Sequence, residues 1–294
     1  MRILLSGATG FIGRSLLVTL SQEDHQIYAL VRNKSQTLDS RVEQVYVNDL
    51  KNIDVAFDVF INLAGEGIAN KPWSKKRKQE LFDSRVTLTN SIKNALQYPP
   101  KTLISMSAVG FYGKATYATF YEDTTPESGF AHDLCAAWED AANGFSSQQT
   151  RVVIYRLGVV LGKGGALEKM RLPFKLGLGG PIAGGNQWFP WVHIDDVVRA
   201  ICHAMQDETF DGAYNMVAPQ YIEQKNFARS YARSLKRPVL LPTPKWLLAM
   251  MLGEMSSLLT EGAKIVPQRL EERGFEFKFD NVDDALTNIA QSYS

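Results

Sequence analysis

Glycine recurs at positions 7, 10 and 13 in the run Gly7-Ala8-Thr9-Gly10-Phe11-Ile12-Gly13. The run lies between a short apolar stretch, Arg2–Ser6, and a segment with helical apolar spacing. In that setting the first glycine permits a tight turn and the second lets backbone approach a pyrophosphate. The third lets the following helix pack close. The helix start then offers unpaired N–H groups, and the positive end of its dipole, to phosphate oxygens. A glycine connection with no ligand is the plain alternative, but the strand–turn–helix context favours a dinucleotide. Gly7, Thr9, Gly10, Phe11, Ile12 and Gly13 are the candidate contacts.

The end of the second strand bears on which dinucleotide. A ribose 2′-hydroxyl calls for a carboxylate about 20 residues past the glycines, and a 2′-phosphate calls for arginine. Here the strand ends Leu30-Val31-Arg32-Asn33-Lys34, with no acid. Arg32 can form a bidentate pair with phosphate oxygens, and Arg14 follows the last glycine. NADP(H) is therefore expected over NAD, with a solvated strand-end charge as the alternative for Arg32.

Further polar candidates lie elsewhere. Arg85, on a long helix, is placed to reach a cofactor cleft, although helical arginines are usually solvated. Gln187–His193 brings Trp188, Trp191 and His193 together after the glycine-dense stretch Gly177–Gly185. Trp188 and His193 suit a wall for a polar small-molecule substrate; the alternative is aromatic anchoring and a backbone-bonded imidazole. Arg156 on a strand would need a buried partner. Cys135 and Cys202 show no metal-ligand spacing and read as buried helical thiols rather than nucleophiles. No metal is expected.

These residues need elements to hold them. Strand patterns at Arg2–Ser6, Gln26–Val31, Val42–Val47, Val59–Leu63, Thr102–Ser107 and Val152–Leu157 alternate with helix patterns. The helices are expected at Phe11–Leu20, Lys75–Leu96, Ala131–Phe145 and Asp195–Met205, with Asp195 as an N-cap. The order predicts an α/β fold of Rossmann type, a doubly wound parallel sheet. A domain over 1–237 and a small, mainly helical subdomain over 238–294 are expected. The run Lys75-Lys76-Arg77-Lys78 reads as a solvated helix face. A formal net charge of +1 gives no electrostatic reason to expect nucleic acid or a membrane surface as partner. Two cysteines and an immediate first strand predict a cytoplasmic protein without a secretory signal.

Several phrases together resemble the extended short-chain dehydrogenase/reductase superfamily. They are the glycine pattern, Asn48-Asp49-Leu50, Asn62-Leu63-Ala64-Gly65, and Ser105-Met106-Ser107 through Tyr112-Gly113. Gln187-Trp188-Phe189-Pro190-Trp191-Val192-His193-Ile194-Asp195-Asp196, Leu252-Gly253-Glu254-Met255 and Gly274-Phe275-Glu276-Phe277 narrow the likeness. They point to a sugar-nucleotide epimerase-like branch with its own C-terminal domain. The resemblance implies that Asp49 and Leu50 meet adenine, that Leu63, Ala64 and Gly65 line the dinucleotide, and that Ser105–Ser107 lie near nicotinamide.

The superfamily's proton chemistry uses a Ser or Thr, a Tyr, and a Lys four residues later. Ser107 fills the first role. Aligning Glu139 with the acid that often follows the lysine puts Ala131 at the tyrosine and Cys135 at the lysine. Tyr112 is the leading replacement acid, ahead of Tyr117, Tyr121 and His132, although it also matches a structural Tyr-Gly. The expected function is an NADP(H)-dependent oxidoreductase or epimerase acting on a small polar, sugar-like or nucleotide-sugar-like substrate. The alternative is an NADP(H)-binding regulator or redox sensor without hydride transfer. Oligomeric state is open in the sequence; the resemblance brings a homodimer paired through helices into consideration.

Overall fold

A computed structural model describes residues 1–33, 38–113, 118–239 and 242–293. The first strands and helices follow the expected alternation: β1 (Arg2–Ser6), α1 (Phe11–Leu20), β2 (Gln26–Leu30), β3 (Val42–Val45) and β4 (Val59–Asn62). Next come α2 (Lys75–Phe82), α3 (Leu88–Ala95), β5 (Thr102–Ala108), β6 (Thr119–Phe120), α4 (Phe130–Asn143) and β7 (Arg151–Leu157). The chain continues through β8 (Val159–Leu161), α5 (Gly165–Lys175), β9 (Trp191–His193), α6 (Ile194–Gln206), β10 (Gly212–Met216) and α7 (Gln224–Ser234). It ends with α8 (Lys245–Leu252), α9 (Ser257–Thr260), β11 (Lys264–Ile265), α10 (Gln268–Glu272) and α11 (Val282–Gln291).

Seven strands form one sheet in the order β10-β7-β5-β4-β1-β2-β3, and every pairing in it is parallel. The strand order reverses between β1 and β4, so the crevice past their carboxyl ends is where this architecture binds ligands. The apolar strands are explained by burial on both faces. In β1, Ile3 and Leu5 pack with Leu16 of α1 and Ile201 of α6. Leu4 points the other way, onto Ile92 of α3 and Phe145.

Four local expectations change. The helix over Lys75–Leu96 is α2, a π-helical turn (Asp83–Thr87) and α3 in succession. Within the basic run, Arg77 is buried rather than solvated, with Nη2 donating to the Gly67 carbonyl at 2.8 Å and Nη1 to Glu80 at 2.9 Å. The third strand stops at Val45 and gives way to a 3₁₀ turn over Val47–Asn52. The cap of α6 is His193, whose Nδ1 accepts the Asp195 N–H at 3.1 Å, while Asp195 lies in the first turn. Burial pushes the His193 pKa down, which favours the neutral ring that can accept this bond.

The C-terminal helical region is stitched to the sheet. β11 pairs with β6, and Asn215 of β10 donates to the Val266 carbonyl at 2.9 Å. Asp196, fully buried on α6, accepts the N–H groups of Lys278 at 2.7 Å and Phe279 at 3.0 Å and pairs with Arg199. Asp196→Ala would orphan two N–H groups. It should lower unfolding stability by about 3 kcal/mol, measured by urea denaturation; a change under about 0.5 kcal/mol would remove Asp196 as the tether.

Candidate functional site

The glycine turn has the close approaches its spacing implies. Gly7 adopts φ +74°, and a Cβ there would meet the Leu63 carbonyl carbon and oxygen at 2.7 Å. A Cβ on Gly13 would collide with the Gly7 carbonyl oxygen, so α1 can start against the turn only with glycine there. Gly10 is the N-cap of α1; it supplies no side-chain cap, and no acid lies in the helix's first turn. The exposed helix start therefore keeps free N–H groups and uncompensated positive potential, the donor set a pyrophosphate needs. Phe11 packs its ring on Gly162, Gly164 and Gly165, which leaves its backbone for the ligand. Arg14 Nε donates to the Thr9 carbonyl at 2.9 Å and braces the turn.

Around the crevice, the strand ends are joined by buried polar bonds. Ser6 Oγ donates to Asn62 Oδ1 at 2.7 Å and accepts the Ala64 N–H at 3.2 Å, while Asn62 Nδ2 reaches Thr89 at 2.9 Å. This fixes Leu63, Ala64 and Gly65 beside the turn. Ser105 belongs to the same buried set, with its Oγ 3.5 Å from Asn62 Nδ2. Asp49 is exposed on the 3₁₀ turn after β3, whereas the Leu50 side chain is in the core; any adenine contact from Leu50 falls to its backbone.

Two arginines converge on Glu66, from the end of β2 and from the helix that follows β4. Arg32 extends from the end of β2 with its side chain 90% exposed and pairs with Glu66 at 3.3 Å. The sequence reading missed Glu66, because only the tertiary fold brings residue 66 to residue 32. Arg77 sits 3.7 Å from the same carboxylate. Arg85, on the π-helical turn, is half-buried against the bare Cα of Gly65. Its Nη1 donates to the Leu81 carbonyl and Ser84 Oγ, and its Nη2 donates to the Glu66 carbonyl at 2.8 Å. The guanidinium also lies 5.2 Å from the Trp138 ring of α4.

The proton-transfer candidates are tied into a buried network. Arg156 forms a bidentate pair with Glu139, at 2.9 and 2.8 Å, and Ser107 Oγ donates to the same carboxylate at 2.6 Å. Arg156 also donates to Tyr112 Oη at 2.9 Å, and Tyr112 donates to Asn215 Oδ1 at 2.7 Å. Tyr112 is 1% exposed, and burial pushes its phenol pKa up, opposite to what a proton relay requires. As placed, Tyr112 is a core residue and not a proton donor to the crevice. Ser107, also buried, has its hydroxyl proton committed to Glu139. Cys135 is buried beside Ala131 at Gly110. His132 bonds the Phe111 carbonyl through Nδ1 at 2.6 Å. Tyr121 is exposed, and Tyr117 lies outside the described residues.

On the substrate side, His193 is 2% exposed and packs on Phe279 at 4.0 Å. Its ring is buried as the cap of α6. Trp188 donates its backbone N–H to the Gly262 carbonyl at 3.2 Å and borders a shallow pocket with Tyr221, Lys264 and Ile265. No residue of the glycine turn lines that pocket. The loop after Gly65 is instead approached by Lys169, which donates to the Ala69 carbonyl at 3.2 Å, while Lys78 of α2 pairs with Glu254 at 2.6 Å.

Residues 3–216 match the model of the NAD dependent epimerase/dehydratase family. The chain belongs to that family. Residues 243–289 match a second family, DUF1731, a domain of unknown function, which coincides with the C-terminal helical region. Similar curated proteins include the epimerase family protein YfhF of Bacillus subtilis, 35% identical with 98% of each chain covered. Another is the chloroplastic epimerase family SDR39U1 homologue of Arabidopsis thaliana, 34% identical, covering 99% of this chain and 87% of that protein. Among solved structures, the human epimerase family protein SDR39U1 crystallised with NADPH superposes with a TM-score of 0.91 at 33% identity, with 99% of each chain covered. UDP-glucuronic acid 4-epimerase of Bacillus cereus shares the fold, with a TM-score of 0.79 at 16% identity and full coverage of both chains. Among the described residues, no helix is long and apolar enough to cross a membrane.

Within this family framework, two outcomes follow from the buried network. Arg156→Leu strands the Glu139 charge in the core and should cost roughly 3–5 kcal/mol of stability; a loss below about 1 kcal/mol in urea unfolding would show that the pair is not a buried keystone. Burial pushes the thiols of Cys135 and Cys202 up to about 11. At pH 8 only about one thiol in a thousand would be thiolate. Iodoacetamide should therefore label the native protein slowly and the urea-unfolded protein fast; equal rates would contradict the placement.

Proposed function

We propose that the chain binds NADP(H) and acts as an oxidoreductase or epimerase on a small polar substrate of sugar or nucleotide-sugar type. The observation that carries the cofactor assignment is the uncapped α1 start at Gly10 together with Arg32 at the end of β2, a segment with no acid of its own, the carboxylate beside Arg32 being Glu66 from the loop after β4. The fit is good at both points. The glycine cradle leaves room only for backbone against the pyrophosphate. Arg32 can also turn from Glu66 to a 2′-phosphate without stranding that carboxylate, since Arg77 stays beside it. An exposed pair of this kind is worth little on its own, so exchanging it for a dianionic phosphate is favourable. The human relative crystallised with NADPH supports the same reading.

The nicotinamide, when bound, supplies hydride exchange. This chain's residues hold the dinucleotide along the Gly7–Gly13 turn and the Leu63–Gly65 segment. Ser107 gives a rigid wall but donates its proton to Glu139. That sequestration favours one second reading, an NADP(H)-binding regulator or redox sensor.

Arg32→Ala should weaken NADPH binding by about tenfold or more, as expected for a lost charge-assisted contact, and leave NADH nearly unchanged; equal weakening of both would sink the 2′-phosphate assignment. Single-turnover mixing of the NADPH complex with ketones, aldehydes and nucleotide sugars separates the two readings. Oxidation by any member supports the enzyme. Tight NADPH binding with no oxidation across the panel supports the regulator and counts against the enzyme.

A further inference from the structure

The helix between β4 and β5 contains a π-helical turn at Asp83–Thr87, and Arg85 is on it. A π turn inserts one residue into a helix and turns side chains away from their α-helical direction, at an energetic cost that persists where function or packing requires it. Here it brings a guanidinium to the bare Cα of Gly65, with Nε and Cζ within 3.4 Å of where a Cβ would stand. The other side of the cation faces α4. Arg85 lies 5.2 Å from the ring of Trp138, which is three residues along α4 from Cys135, the position that resemblance assigns to a lysine. The chain has no lysine at that position, and the cation that approaches α4 comes from a neighbouring helix.

The bonds Arg85 makes do not exhaust it. Of its five N–H donors, Nη1 uses two on Leu81 and Ser84 and Nη2 uses one on Glu66. Two remain for a ligand. Its place in the sheet says which part of a dinucleotide it would meet. Arg32 ends β2, on one side of the β1/β4 reversal, and Arg85 lies over the β4 exit beside α4, on the other. A dinucleotide laid across the reversal puts its adenosine half by β2 and its second nucleotide half by β4 and β5.

We infer that Arg85 is the fixed cation of the nicotinamide half, donating to the ribose hydroxyls or adjoining phosphate oxygens and replacing a lysine absent from α4. This rests on the reading of the chain as an NADP(H)-binding protein. Arginine keeps its charge at all accessible pH, so Arg85 is a positioning residue for the cofactor rather than a proton carrier. Its role therefore predicts a split between ligands, which a purely structural brace of the Leu63–Glu66 loop would not produce.

The test compares NADPH with adenosine 2′,5′-bisphosphate, which carries only the adenine half, by calorimetry on the full chain. Arg85→Ala should weaken NADPH by about tenfold or more and leave the bisphosphate within about twofold. Arg32→Ala should weaken both. Should Arg85→Ala fail to fold, Arg85→Lys, which keeps the charge but loses the fork, should show the same split at smaller size. NADPH affinity unchanged on substitution overturns the inference, and so does equal loss of both ligands, which marks a loop brace. Wild-type protein that binds the bisphosphate and NADPH equally also overturns it, with the adenine-half site left standing. Wild-type protein that binds neither overturns the NADP(H) reading itself.

Discussion

The Glu139–Arg156 ion pair is the constraint on which the rest of the molecule depends. It lies in the core, joins α4 to β7 and recruits Ser107 of β5 and Tyr112. Through Tyr112 it reaches Asn215, whose amide continues to the Val266 carbonyl of the C-terminal region. A buried pair recovers its desolvation cost only when its remaining donors and acceptors are satisfied. Here the serine, the phenol and the Glu122 carbonyl do so. The groups best suited by type to move protons are thereby spent on holding the two parts of the chain together.

That commitment separates two properties usually found together in this fold. The binding side is built from backbone: glycines that admit close approach, an uncapped helix start, and a loop pinned by the Ser6–Asn62–Thr89 bonds. Its glycine turn needs no side-chain chemistry. At the positions where the resemblance implies a tyrosine–lysine pair the chain has Ala131 and Cys135, and the hydroxyls of Ser107 and Tyr112 are buried and occupied. What stands at the crevice is a group of three arginines, Arg32, Arg77 and Arg85, gathered on Glu66. A site of this composition is well matched to gripping an anionic dinucleotide.

The legibility of these features in sequence follows their range. The glycine turn and the parallel sheet were readable because a strand, a turn and a helix are local and apolar runs report burial directly. Arg156 signalled its need for a partner because an arginine in an apolar strand has no other account, although the identity of Glu139 required the fold. Arg77 was misread because its neighbours are solvated lysines and its burial depends on the Gly67 carbonyl ten residues earlier. The cap of α6 moved from Asp195 to His193 because a neutral imidazole can accept a backbone N–H, which the preference for acidic caps does not anticipate. Tyr112 follows Ser107 closely in sequence, yet the side of the chain on which a phenol lands is set by Asn215, about a hundred residues away. The π-helical turn at Arg85 leaves only a faint mark in the sequence, the spacing of five between the buried Leu81 and Val86 where an α-helix would place three or four.

The central claim is that this chain retains a dinucleotide grip whose neighbouring proton-transfer groups are structurally engaged. A crystal structure of the NADPH complex tests it most directly. The account predicts the 2′-phosphate on Arg32, the pyrophosphate at the start of α1, and Tyr112 still bonded to Arg156 and Asn215. A 2′-phosphate placed away from Arg32, or a Tyr112 hydroxyl swung out to the nicotinamide, would contradict it.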